Sequence, residues 1–286
     1  MRTASFRLSR TGVVNDMAVI HVIQTGSTLV SSAVPDRSTQ KSEIAYTGLF
    51  QSRKKRIKVP VKAFLVEVSG HRILIDTGWS AECASHPLRH LGFGLWFASE
   101  PVMTEEEAVD HQLAKMGMEP SDIDAILLTH LDCDHASGLI PLKAAKAIYA
   151  AAEELDEKNL KDVRYNKNFW KGIDFTAYPM LPDENAPFGK SCDLYGDGTV
   201  IVYYTPSHSA GSVAITVSDH GRFALFTGDN GYNRHSWEDI ALPGPIYDKD
   251  NMRKALEWVQ QMSRKENCAG IYAAHDPEVP QGKYEI

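Results

Sequence analysis

Residues 126–139 read ILLTHLDCDHASGL: an apolar run, Thr129, then His130, Asp132, Asp134 and His135 in close succession, before the small residues Ala136, Ser137 and Gly138. Short apolar runs closed by turn residues read as buried strands, so two imidazoles and two carboxylates stand at the mouth of one. Imidazole nitrogens and carboxylate oxygens are the donors a divalent cation binds directly, and a carboxylate can also bridge two ions. The hexapeptide alone leaves alternatives open, because Asp132 and Asp134 also suit helix N-caps and His130 also suits a hydrogen-bonded core position.

Three later strand ends narrow them. TPSHSAGS sets His208 just past TVIVYYT, FTGDNG sets Asp229 just past RFALF, and YAAHDP sets His275 just past CAGIY. Each candidate follows an apolar strand, so one edge of a sandwich can gather all seven side chains. Around them AVIHVIQ, VKAFLVEV, RILIDTG, AKAIYAA and SVAITVS read as further strands, with turns at Ser69-Gly70 and Asp219-His220-Gly221. Thr104 and Glu107 form a capping-box pattern that predicts a helix through Lys115, stopped at Gly117. Met252, Ala255, Leu256, Trp258, Val259 and Met262 recur at helical spacing within residues 250–265, and residues 181–189 read as a loop. The pattern implies a mixed α/β fold with helices outside two sheets.

Composition excludes several classes of protein. A chain of 286 residues with 43% hydrophobic and 23% charged residues can bury a large core, and one domain over residues 18–286 is expected after an N-terminal extension, residues 1–17. The net charge of -7 argues against an extended nucleic-acid surface, and the basic run Arg53-Lys54-Lys55-Arg56 reads as a solvated loop. Four scattered cysteines fit reduced thiols, no signal-peptide core is visible, and no stretch reaches the roughly 20 apolar residues of a membrane span. The cytoplasm is the expected location. No GxSxG elbow is present, and no cysteine has an evident paired base, so a serine or cysteine nucleophile is not expected.

With ILIDTG around Asp76, THLDCDH, TPSHSAGS, TGDN and AAHD in this order, the chain resembles the metallo-β-lactamase superfamily. Within it, the stretch MTEEEAVDHQLAKMGMEPSDIDAILLTH and a tyrosine three residues after Asp229 resemble the N-acyl homoserine lactonase group. The resemblance implies an αββα sandwich with a binuclear site at one edge. On that pattern His130, Asp132 and His208 hold one cation, Asp134, His135 and His275 hold the other, and Asp229 bridges them. Asp76 matches a supporting position, and Tyr232 the catalytic tyrosine. The implied partner is a small molecule, with no nucleic acid or membrane expected; a homodimer stays open, since the sequence does not fix the oligomeric state.

One position departs from the family. The motif is HxHxDH, and Asp132 stands at its middle histidine, as the glutamate does in the HxExDH motif of flavodiiron proteins. A third carboxylate adds negative charge, raises the pKa of a bound water and shifts preference from zinc, the expected ion, toward manganese or iron. The alternative is that Asp132 does not ligate. The expected chemistry is hydrolysis of a lactone by a hydroxide shared between two cations, with Asp134 handling protons and Tyr232 stabilising the oxyanion. Alternatives are a phosphodiesterase or other esterase on the same scaffold, or a flavodiiron-like oxidoreductase. Asn233 and His235 read equally as substrate contacts and as surface loop. The aromatic stretch from His90 to Phe97 reads as core packing before it reads as an acyl-chain wall or a dimer contact.

Overall fold

The computed structural model describes residues 17–49 and 51–286, so the extension expected at the N-terminus lies almost wholly outside the described residues. In chain order the strands are β1 (Val19–Val30), β2 (Ile57–Val68), β3 (His71–Ile75), β4 (Glu100–Val102), β5 (Ala125–Leu127), β6 (Ile148–Ala150) and β7 (Thr176–Ala177). They continue with β8 (Leu181–Pro182), β9 (Lys190–Asp193), β10 (Val200–Tyr204), β11 (Val213–Asp219), β12 (Arg222–Gly228), β13 (Cys268–Ala273) and β14 (Gly282–Glu285).

Period-two alternation sorts these strands into layers. In β2, Phe64, Val66 and Val68 face the second sheet, while Val61, Ala63 and Leu65 face a helical layer. One sheet runs β14-β1-β2-β3-β5-β6-β7, with β4 also on β1, and the other runs β13-β12-β11-β10-β9-β8. Both mix parallel and antiparallel pairs. Between them Phe64 meets Phe226 edge-on, centroids 5.1 Å apart, among Val202, Ile215 and Leu127. Outside the second sheet, Met252, Leu256, Val259 and Met262 of the helix Lys249–Ser263 pack on Ala214 and Leu225. Each such buried side chain contributes roughly 1.5–3 kcal/mol. The expected αββα sandwich is the architecture observed.

Both expected hairpin turns form with positive φ at two adjacent residues, Ser69 at 50° and Gly70 at 78°, then His220 at 48° and Gly221 at 79°. The right-handed twist of the flanking strands selects this turn type.

Elsewhere the structure corrects the sequence. The capping box at Thr104 forms, but it opens only the 3-10 turn Glu105–Glu107; Ala108 turns extended, and the helix proper is Val109–Lys115. Residues 181–189 are not all loop, since β8 pairs with β9 as a small hairpin. The stretch from His90 to Phe97 is core packing in part: Leu91 is buried and Leu95 and Trp96 pack against the same cluster, but Phe93 is 69% exposed and stacks on Phe97. In the basic run, Arg53 pairs with Glu100 and Arg56 lies over the Phe97 ring, so two of its four charges are engaged. All four cysteines are free thiols. No helix among the described residues is long and apolar enough to cross a membrane.

Candidate metal centre

Five strands deliver the polar cluster. Asp76 follows β3, the run from His130 to His135 follows β5, His208 follows β10, Asp229 follows β12 and His275 follows β13. Because β3 and β5 are parallel, and β12 and β13 likewise, these ends open on the same side. Gly228, at φ 53°, lets the end of β12 close on the other sheet, since a Cβ there would meet Thr129 at 2.8 Å. Asp229 is thereby set against His130 and His135.

The donors fall into two groups around that aspartate. In one, His208 Nε2 lies 3.0 Å and His130 Nε2 3.6 Å from Asp132 Oδ2, with Asp229 Oδ2 3.6 Å from His208 and 4.0 Å from His130. In the other, Asp229 Oδ1 lies 3.2 Å from His135 Nε2 and 3.3 Å from His275 Nε2, and Asp134 Oδ2 lies 3.6 Å from His275 Nε2. Each carboxylate oxygen of Asp229 therefore faces a different group.

Every imidazole is held from behind. His135 Nδ1 sits 2.8 Å from Asp76, His275 Nδ1 2.8 Å from the Pro60 carbonyl, and His208 Nδ1 3.1 Å from the Pro245 carbonyl. His130 Nδ1 lies 3.0 Å from Thr129 Oγ1, whose own hydroxyl donates to Asp76 at 2.8 Å. These acceptors assign the proton to Nδ1 in all four rings and leave each Nε2 lone pair facing the centre. Asp76 performs this role from a left-handed backbone, φ 57°, and also accepts the Thr129 N–H at 2.8 Å.

Buried His130 Nε2, His135 Nε2 and Asp229 Oδ1 have no hydrogen-bond partner. Converging lone pairs of this kind are costly unless a cation meets them, so the donor set fits divalent metal. Burial works against charge on His135, but Asp229 and Asp76 outweigh it and raise its pKa well above the usual range, so without a cation Nε2 also holds a proton, which a divalent metal would displace. Burial likewise opposes ionisation of Asp229, and His275 and His135 reverse it, keeping the carboxylate charged.

Asp132 stands at the N-cap position of the helix Cys133–Ala136 but makes no side-chain cap. Its carboxylate turns to Arg164 instead: Nε donates to Oδ1 at 2.7 Å, and Nη2 to Oδ2. The same Nη2 lies 2.6 Å from His208 Nε2, and Nη1 donates to the His208 carbonyl at 2.8 Å. Burial raises the Asp132 pKa, and the Arg164 charge, larger in effect with its companions, drives it well below the ordinary value. Behind this pair lies buried Glu154, which accepts from Tyr165 Oη at 2.6 Å and from Ser209 Oγ. Burial pushes Glu154 up to about 7, against the pull of Tyr165 and Arg164.

Sequence patterning pointed to none of Arg164, Glu154, Asn230 or Lys62. Asn230 Nδ2 donates to Thr205 Oγ1 at 2.9 Å and to the Thr227 carbonyl at 2.7 Å, tying the His208 and Asp229 loops together. Lys62, fully buried, donates to the Asp276 carbonyl beside His275; burial lowers its pKa to about 8. A lysine inside the apolar run of β2, between Val61 and Ala63, was the available signal.

Tyr232 lies over the centre, stacked on His275 with centroids 5.0 Å apart and edge-on to His208 at 6.3 Å. Burial first, and then the neighbouring Asp229 carboxylate, push its phenol well above the usual pKa, so it stays a protonated donor. Asn233 and His235 do not reach the donors: Asn233 caps the helix Arg234–Glu238, and exposed His235 pairs with Asp239 at 2.7 Å.

The chain belongs to the metallo-β-lactamase superfamily, whose family model matches residues 56–267. It is 27% identical to the N-acyl homoserine lactonase of Bacillus cereus, over 86% of this chain and 90% of that protein. It is 24% identical to the N-acyl homoserine lactonase AttM of Rhizobium radiobacter, over 84% of this chain and 90% of that protein. In fold it is similar to an N-acyl homoserine lactone hydrolase solved with N-hexanoyl-L-homoserine at its catalytic metal centre. That match has a TM-score of 0.72 and 21% identity, covering 92% of this chain and 94% of the other. The dizinc quorum-quenching lactonase AidC matches with a TM-score of 0.62 and 16% identity, over 94% of each chain.

Proposed function

We propose that the protein is a metal-dependent hydrolase that opens the ring ester of a lactone, with acyl homoserine lactones as its substrate class and two divalent cations at the site. The single observation that carries this reading is Asp229, whose two oxygens face two separate groups of donors, one on each side. The curated lactonase relatives support the lactone over the phosphodiester. Zinc is the proposed ion, and the three aspartates make manganese and iron the competitors to test against it.

His130, Asp132, His208 and Asp229 would hold one cation, and Asp134, His135, His275 and Asp229 the other. Bound divalent metal supplies Lewis acidity and a water acidic enough to act as nucleophile near neutral pH. The chain's own groups do the rest. Asp134, less enclosed than Asp229 or Asp76 and free of the guanidinium that occupies Asp132, takes the proton from the attacking water and returns it to the departing ring oxygen. Tyr232, protonated and seated between His275 and His208, donates a hydrogen bond to the carbonyl oxygen as charge gathers there. A homodimer is part of the proposal, and sedimentation analysis would register it.

A pH-indicator assay of protein purified without added metal, run across lactones, linear esters and phosphodiesters, tests the reading. Lactone opening abolished by a chelator and restored by one ion is the expected result. Turnover of phosphodiesters alone would overturn it.

A further inference from the structure

Arg164 carries the only arginine or lysine charge placed against a donor of the centre among the described residues. Its position is specific. Nη2 touches both Asp132 Oδ2 and His208 Nε2, two atoms that lie 3.0 Å apart and face the same point. The His208 ring has its Nδ1 on the Pro245 carbonyl, so the Nε2 lone pair is what receives the guanidinium N–H. Asp132 gives up both of its oxygens to the same guanidinium. Two of the three side chains private to the His130 group thus have their lone pairs engaged by a fixed positive charge.

The other group differs. Asp134, His135 and His275 meet no arginine or lysine, and Lys62, the nearest buried cation in that region, points at the Asp276 carbonyl. A guanidinium cannot shed its proton within the protein, so it leaves only by moving. Its backbone is outside regular structure: Arg164 sits between the 3-10 turns Asn159–Lys161 and Lys167–Trp170, next to Val163, which is 92% exposed.

We infer that the two cation positions are unequal, and that Arg164 acts as an internal competitor: Asp134, His135, His275 and Asp229 fill first, while His130, Asp132 and His208 fill only when the guanidinium is displaced. Arg164 is a positioning residue that reaches substrate chemistry through Asp132. The inference rests on the proposed function for its two cations, but not on the substrate.

Equilibrium dialysis against buffered free zinc, with bound metal counted per chain, tests it. The native chain is expected to take up two ions at free-zinc concentrations separated by about 10- to 100-fold, the range over which groups behind a ligand tune affinity. Arg164→Met keeps the side-chain stem and removes the charge; it should tighten the weaker ion by that factor and leave the tighter one unchanged. Retention of the tighter ion shows that the variant is folded. Asp132→His, which removes the partner of the guanidinium and supplies a neutral donor, should close the gap independently. Two equally tight ions in the native chain, or a gap that neither variant narrows, would overturn the inference. Unequal ions without lactone opening would overturn the proposed function alone, lactone opening with equal ions the inference alone, and no bound zinc in any of the three proteins both.

Discussion

The two halves of the centre meet opposite charges on opposite sides. Behind His135 stands the Asp76 carboxylate, 2.8 Å from Nδ1; in front of Asp132 stands the Arg164 guanidinium, 2.7 Å from Oδ1. A carboxylate behind an imidazole makes the opposite ring nitrogen a stronger donor. A guanidinium in front of a carboxylate uses the very lone pairs a cation needs. Donor type alone therefore does not rank the two positions; their neighbours do.

The sharpest way to break the comparison is to remove a proton carrier from the half that lacks a guanidinium. Asp134→Asn should lower kcat for lactone opening by about 10²- to 10⁴-fold. A fall under about tenfold would shift the proton transfer elsewhere, and stopped-flow turnover measures it. Tyr232→Phe, which bears on both halves through His275 and His208, should cost about 10²- to 10³-fold in kcat/KM. An unchanged value for the true lactone would take Tyr232 out of the chemistry.

Smaller effects resolve how the bracing is shared. Asp76 reaches His135 directly and His130 through the Thr129 hydroxyl. Asp76→Ala should thus weaken both ions, each by about 10- to 100-fold in a zinc titration. If only one ion weakens, the Thr129 relay carries no bracing. Smallest in activity is Glu154, behind the Arg164 half, whose pKa is raised to about 7 by burial. A raised carboxyl pKa means the native chain binds its proton more tightly than the unfolded chain does. The resulting stability is complete below about pH 4.5 and lost as pH rises through about 7, roughly 3 kcal/mol in all. Glu154→Gln should flatten denaturation midpoints across that window; a slope equal to the native one would show that Glu154 does not titrate there.

Much of this layout was legible in the chain because each donor directly follows an apolar strand, and strand ends are where a sandwich gathers side chains. His208, Asp229 and His275 announce themselves this way, and so does Asp76 after RILI. Arg164 does not. It lies in a stretch without periodicity, and its partner Asp132 is 32 residues earlier, so only the folded chain reveals that the carboxylate replacing the motif's middle histidine comes with a matching guanidinium. Glu154 looked like one more acid in AAEELDEK, and nothing local marks it as fully buried. The two-residue strands β7 and β8 are too short to carry an alternation. The capping box at Thr104 was visible, but nothing local marks the extended backbone at buried Ala108 that divides turn from helix.

The four Nδ1 anchors are supplied by main-chain carbonyls, a hydroxyl and a carboxylate, none of which depends on an ion being bound. A chelated molecule should therefore remain a ready receptor whose rings already point inward. Reloading of the Asp134, His135 and His275 group, which no guanidinium occupies, would then be a simple collision, with a rate linear in ion concentration and no lag, while the Asp132 side would follow only as Arg164 withdraws.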